Sequence, residues 1–373
     1  MTHQPLPSDE ILRHIVDAHC HPTDNEIPVS AMDDLKTHVC AMASRKDDQV
    51  KVANLARQWP DKVTPCFGFH PWCSHHISVL DATPSKRDHY ASLFLSSDPS
   101  EQDINVFEEV LKNLPEPTPL STVISSVRTN LVEFPNALLG EVGIDRSFRI
   151  PYNSYPFAGA KKLSPFTVPA AHQLALLEAQ IALAVELRRS ISLHSVKAQQ
   201  VTLDLLKRLK EKYKEDFGKI NIDLHSCGFS AESWKEVESK YPNLFLSLSV
   251  VINGRSPSYE VLIRKCSPDR ILSESDYNEI GNSTEYTWDM ICSVARLKGW
   301  NIETESWNDD DGLEEKEWGV VRRLERNWRR FVGPGLGLAS ATPRVGRRTR
   351  HLDDPAHKWN GEWVDESSES GVE

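Results

Sequence analysis

Short apolar runs with no polar alternation recur along the chain, separated by longer amphipathic stretches. The runs are Ile15-Val16-Asp17, Val39 to Ala43, Val63 to Phe69, Ala137 to Val142, Ile191 to His194, Ile220 to Leu224, Leu244 to Ser249 and Ile271 to Ser275. A strand that is apolar on both faces must be covered on both faces, as parallel strands flanked by helices are. The stretches between them read as helices over Asp47 to Trp59, Pro169 to Arg189, Ala198 to Tyr213, Ala231 to Lys240 and Pro257 to Lys265. In the longest, Leu174, Leu177, Ile181, Val185 and Leu187 recur close to helical spacing while Glu178, Gln180 and Glu186 face elsewhere. About eight such strands alternating with helices predict an α/β fold, a (β/α)8 TIM-type barrel rather than a doubly wound sheet.

Two segments depart from that rhythm. His75 to Pro135 is too long for an ordinary strand-to-helix connection. It carries Val106, Phe107, Val110 and Leu111 at helical spacing, which predicts a helical insertion (about 75–135) after strand 3, on the barrel's active face. Toward the end, Asp309-Asp310-Asp311 precedes Trp318, Val321, Leu324, Trp328 and Phe331 at helical spacing, with Arg326, Arg329 and Arg330 at the far end. Acidic residues before a helix and basic ones at its end suit the helix dipole. A C-terminal helix over about 311–331, docked on the barrel, closes a domain of 1–332, and the Gly-, Ser- and charge-rich remainder, 333–373, reads as a disordered tail.

The 373 residues carry 43 Lys+Arg against 54 Asp+Glu, a net charge of −11. That balance argues against a generic polyanion-coating protein, though not against a nucleic-acid enzyme whose bound cations supply charge locally. The seven cysteines are scattered with no C-x-x-C pair, so zinc-ribbon and thioredoxin motifs are excluded and an oxidised secreted framework is not expected. The start of the chain is polar, and no run approaches a membrane span. The expected setting is cytoplasmic, nuclear or both.

Asp17-Ala18-His19-Cys20-His21 follows the first strand directly. Alternate residues of an extended chain point the same way, so His19 and His21 can share a metal ion while Cys20 points into the core. By itself H-x-H also describes two loop histidines. Glu141, however, ends the fourth strand, His194 the fifth, His225 the sixth and Asp276 the eighth. In a parallel barrel these ends converge on one face, and four histidines with two carboxylates there form a metal-ligating set.

These segments resemble the TatD family of metal-dependent deoxyribonucleases, within the amidohydrolase-like barrels. The matching pieces are Asp17 to His21, Gly68-Phe69-His70-Pro71-Trp72, Gly140-Glu141-Val142-Gly143-Ile144-Asp145, Leu193-His194-Ser195, His225 to Ser230 and Glu274-Ser275-Asp276, in family order over roughly residues 15 to 280. The chain further resembles a fungal branch described as interactors of a tetratricopeptide-repeat subunit of the anaphase-promoting complex. The resemblance implies two divalent metal ions (Zn, Mn or Mg), one held by His19, His21, Glu141 and Asp276. Glu141, His194 and His225 would hold the second, with Glu141 bridging. Asp276 would orient or deprotonate the attacking water. His70 would contact substrate phosphate, or else simply pack beside Pro71 and Trp72. DNA is the implied substrate, and a tetratricopeptide-repeat protein an implied partner.

Some positions depart from the family pattern. Val196 stands where an Arg often follows the His-Ser pair, which removes a possible phosphate contact. Ser275 replaces Thr, Arg146-Ser147 replaces an aromatic pair, and no Arg-Asn-Glu-Pro-like segment follows the last strand. Metal ligation is thus better supported than nuclease activity. Hydrolysis of a non-phosphate bond and a pure interaction role stay open, with His75 to Pro135 and Asp309 to Glu373 as candidate partner surfaces. Gly333 to Gly337 follows a helix rather than a strand and is no phosphate loop. Arg344 to Arg350 reads as a solvated tail or a nuclear-localisation patch.

Overall fold

A computed structural model describes residues 3–80, 82, 84–152, 162–308 and 312–335. Eight parallel strands form one sheet in chain order: β1 Val16–Cys20, β2 His38–Ala43, β3 Val63–Phe67, β4 Leu138–Asp145, β5 Ile191–Val196, β6 Ile222–Leu224, β7 Leu244–Leu248 and β8 Ile271–Ser273. The first and last strands meet just beyond β8, where the amide of Asp276 donates to His19 O (2.9 Å) and that of His21 to Tyr277 O (2.8 Å). These bonds curl the sheet into the expected barrel.

Crossover helices cover its outside, among them α1 Asp48–Gln58, α5 Ala170–Leu187, α6 Gln199–Tyr213, α7 Ala231–Lys240, α8 Ser258–Lys265 and α9 Ile280–Lys298. Their apolar stripes and the outward strand residues make one continuous core that includes Val39, Val63, Leu139, Ile181, Leu206 and Ile291. A second cluster fills the barrel's floor: Ala18, Cys40, Met42, Cys66, Leu138, Phe245 and Leu272 pack against Trp328 and Phe331.

Those two aromatics belong to α10, Val320–Val332, which plugs the end of the barrel opposite the strand C-termini. Its backbone is tied to residues just before the strands: Ser190 Oγ and Asn221 Nδ2 both donate to Phe331 O (2.7 and 2.9 Å). The C-terminal helix begins at Val320 rather than near 311. Glu303 sets the start, because its carboxylate accepts the amides of Val321 (3.0 Å) and Arg322 (3.3 Å) that open the helix. Residues Glu315–Glu317 form a separate 3-10 turn, and 309–311 lie outside the described residues. The expected tail also lies outside them from 336 onward. Within it, Gly333 and Gly335 are bonded to Asn221 and to Lys219 O.

The insertion is helical but shorter than the sequence spacing suggests. Its helices are α2 Lys86–Phe94 and α3 Glu101–Leu111, framed by a two-residue parallel pair, Ile77–Ser78 with Thr118–Pro119. The next helix, α4 Leu120–Glu133, buries Val123, Val127 and Leu131 in the main core and is the ordinary crossover to β4. The inserted helices have their own core, in which Tyr90, Phe107 and Val110 meet Ile150, Tyr152, Phe166 and Val168 from the chain after β4. Among the described residues no helix is long and apolar enough to cross a membrane.

Candidate metal centre

The two glycines of β4 that flank Glu141-Val142 explain how a carboxylate reaches the barrel axis. Gly140 has φ +154°, and a Cβ there would sit 2.8 Å from Cys66 Sγ and 2.9 Å from Ser192 O. At Gly143 a Cβ would fall 2.1 Å from His194 O. Only glycine lets β4 approach β3 and β5 this closely, and Glu141 is thereby held 3% exposed among the histidines of neighbouring strands.

Its two oxygens face two separate groups. Oε2 lies 3.3 Å from His21 Nε2 and 3.7 Å from His19 Nε2. Oε1 lies 2.6 Å from His194 Nδ1 and 2.8 Å from His225 Nε2. Within each group two imidazole nitrogens confront one another, His19 Nε2 and His21 Nε2 at 3.2 Å, His194 Nδ1 and His225 Nε2 at 3.1 Å. Asp276 joins the first group, with Oδ1 3.5 Å from His21 Nε2 and 3.8 Å from His19 Nε2. Nitrogen lone pairs converging with carboxylate oxygens at such distances fit divalent cations. His19, His21 and Asp276 lie close enough to one another to hold an ion, as do His19, Glu141 and His225.

Electrostatics follow this pairing. Burial alone would push Glu141 up, but His70, His225 and His194 around it hold it well below the usual carboxylate range. Burial would lower the imidazoles, yet hydrogen bonds donated to Asp276 and Glu141 push His21 well above its ordinary value, and the charge of Glu141 does the same to His225. His194 is raised as well, against its burial, by Glu141 and Asp145. His19 is lowered by burial and by the charge of His225, on which its ring stacks at 3.9 Å. Its Nδ1 pairs with Ser192 Oγ at 2.8 Å, which fixes the ring and turns Nε2 to the centre. Asp276 stays ionised despite burial because His21, His19 and His225 hold it low.

His70 plays a different part. Its Nδ1 accepts the amide of Trp72 (3.1 Å), so in the neutral ring the proton sits on Nε2, 3.2 Å from Glu141 Oε1. Burial pushes its pKa down to about 4, which keeps it neutral near pH 7. His70 is thus a donor aimed at the centre. Cys20 turns away: its Sγ donates to Cys40 O (3.5 Å), and burial holds the thiol well above its ordinary value.

Several contributing residues were not singled out in the sequence. Asp17 accepts the amide (2.9 Å) and hydroxyl (2.5 Å) of Ser275, and burial pushes it up to about 7. Ser247 Oγ lies 2.6 Å from Asp223 Oδ2 and 2.5 Å from Glu274 Oε2. One hydroxyl proton serves only one carboxylate, and burial raises Asp223 to about 8, so Asp223 is itself protonated at neutral pH. Asp276 and Ser226 have φ of +50° and +41°. Such strain persists where bonds over-determine it, and here Asp276 N donates to His19 O while the Ser226 hydroxyl reaches Asp276 Oδ2 at 3.0 Å.

Above the centre opens a cleft of about 520 Å³ whose walls include Trp72, Asp145, Val196, Ile252 and Tyr277. Val196 and Ile252 are 36% and 47% exposed, so part of the wall offers apolar contact.

A parallel barrel that gathers imidazoles and carboxylates at its strand C-termini belongs to a class of hydrolase scaffolds. A family model described as "TatD related DNase" matches residues 16–306, and the chain belongs to that family. It is 30% identical over 326 residues to the Cut9-interacting protein scn1 of Schizosaccharomyces pombe, covering 78% of this chain and 95% of that one. It is 30% identical over 282 residues to an uncharacterized deoxyribonuclease of Saccharomyces cerevisiae, covering 71% and 84%. An uncharacterized amidohydrolase of Saccharomyces cerevisiae shares the fold, with TM-score 0.54, 13% identity and coverage of 88% and 100%. The chain is a TatD-family hydrolase.

Proposed function

We propose that this hydrolase cleaves phosphodiester bonds of DNA with two divalent cations and water as nucleophile. The carrying observation is the central place of Glu141, whose Oε2 faces the confronted nitrogens of His19 and His21 and whose Oε1 faces those of His194 and His225, with His70 Nε2 beside it. His19, His21, Glu141 and Asp276 would hold one cation, and Glu141, His194 and His225 the other. Cations bound there would supply Lewis acidity and lower the pKa of water.

The chain's own groups do the rest. Asp276, kept ionised by His21, His19 and His225, takes the proton of the attacking water. His70 Nε2–H donates to a phosphate oxygen in place of Glu141. Trp72, Ile252 and Val196 receive sugar and base at the cleft wall. On this reading the chain would work in the cytoplasm, the nucleus or both.

Nucleotide release from a short single-stranded DNA, with Mg²⁺, Mn²⁺, Zn²⁺ or EDTA, tests this beside Asp276→Ala. Metal-dependent release that Asp276→Ala loses is expected. No release from protein that demonstrably binds metal would overturn the phosphodiester assignment.

A second reading rests on the relative named as a Cut9-interacting protein. We infer that this chain also engages a tetratricopeptide-repeat partner. Capture by such a protein should survive Asp276→Ala, and loss of capture upon deletion of 336–373, which leaves the barrel-plugging α10 in place, would assign the contact to that segment.

A further inference from the structure

We infer that Asp145 is a positioning residue that ties the ligand pose of His194 to the indole wall of the cleft. The inference rests on His194 being a metal ligand, as proposed above.

His194 presents Nδ1 to Glu141 Oε1 and His225 Nε2. A free lone pair on Nδ1 requires the proton of the neutral ring to sit on Nε2. Nε2 is buried without a hydrogen-bond partner, and Asp145 Oδ2 lies 3.6 Å from it. A carboxylate at that position favours the Nε2–H tautomer, as carboxylates behind ligand histidines do.

The same oxygen accepts the indole N–H of Trp72 at 2.6 Å. Oδ1 is saturated by the amide and hydroxyl of Ser147 (2.6 and 2.7 Å) and the amide of Phe148 (3.1 Å). Gln173 of α5 clamps the backbone from both sides, accepting from Asp145 N and donating to Asp145 O. Trp72 in turn stacks on Phe148 at 5.3 Å and 16°. The carboxylate therefore has one available pose, and that pose serves the histidine and the indole together.

The isosteric Asp145→Asn variant tests this in chelator-buffered zinc titrations of the full chain. One of two zinc affinities should fall about 10- to 100-fold, the range for ligand-supporting residues. The ¹⁵N resonances of the His194 ring should move off the Nε2–H tautomer. Trp72→Phe should keep both affinities and raise KM alone, separating the two roles of the carboxylate. If Asp145→Asn does not fold, Ser147→Ala, which removes one donor to Oδ1, should weaken the same zinc several-fold. Zinc affinities equal to the parent's in the folded variant would overturn the inference while leaving the metal reading intact. A parent that takes up no zinc would overturn the metal reading, and the inference with it.

Discussion

The described residues include two buried histidine clusters that differ in whether carboxylates face them. At the strand ends, His21, His194 and His225 are pushed up because Glu141, Asp276 and Asp145 outweigh burial. At the root of the insertion, His75, His76, His89 and His172 are all pushed down by burial, and the groups acting on them are one another and backbone carbonyls. There His89 Nε2 donates to His75 O (2.8 Å) and His172 Nε2 to Ser74 O (2.9 Å), so the rings bolt α2 and α5 to the turn that carries His70 and Trp72. The residue type is the same in both places. Carboxylates fit the first cluster to hold cations, as proposed above, whereas backbone carbonyls in their place leave the second a set of neutral fasteners.

Removing the carboxylate at the heart of the first cluster should have the largest effect. Glu141→Ala should abolish uptake of both metals and lower turnover by at least about 10³-fold, since it strips the shared ligand and leaves crowded imidazoles. Elemental analysis beside nucleotide release reads both. A variant that keeps two metal equivalents would show that Glu141 does not bridge.

Next in size is the proton count. Imidazoles raised above their ordinary value are protonated near pH 7 and must release those protons to a cation. Metal uptake at pH 7 should therefore release about one proton or more per chain, seen by calorimetry in two buffers of different ionisation enthalpy. Uptake without proton exchange would contradict the raised values.

The insertion should respond to acid. His76 falls from 6.5 to about 4 on folding. Its folded form binds a proton less readily than the unfolded chain, so its contribution is fully present above pH ~6.5 and is lost as pH falls through ~4. Hydrogen exchange of α2, corrected for intrinsic rates, should report loss on the order of 1–3 kcal/mol across that window. Protection unchanged from pH 7 to 4 would refute it.

How much of this the sequence discloses depends on distance along the chain. The eight strands are legible because each is apolar on both faces, and the candidate ligand set because each member lies in or just after such a run, although Glu141 stands inside β4 rather than at its end. The insertion's extent is not, since α4 resembles α3 in pattern and only its burial of Val127 and Leu131 assigns it to the barrel. Helix α9 escapes periodicity because Ser283 and Thr287 occupy its buried face, where their hydroxyls bond back to Ile280 O and Ser283 O. The Ser247 relay between Asp223 and Glu274, and the cap that Glu303 gives α10, join residues whose neighbourhood only the folded chain creates.

The smallest expected effect discriminates most sharply between the clusters. His172→Gln keeps a donor near Ser74 O and removes a titrating ring. Stability at pH 7 should change by no more than about 1 kcal/mol, the worth of one hydrogen bond, and the acid response of α2 should shrink. Metal content should equal the parent's. Loss of a metal equivalent would instead make the insertion cluster a ligand set, and neighbouring carboxylates would no longer be what separates a cation site from a fastener in this protein.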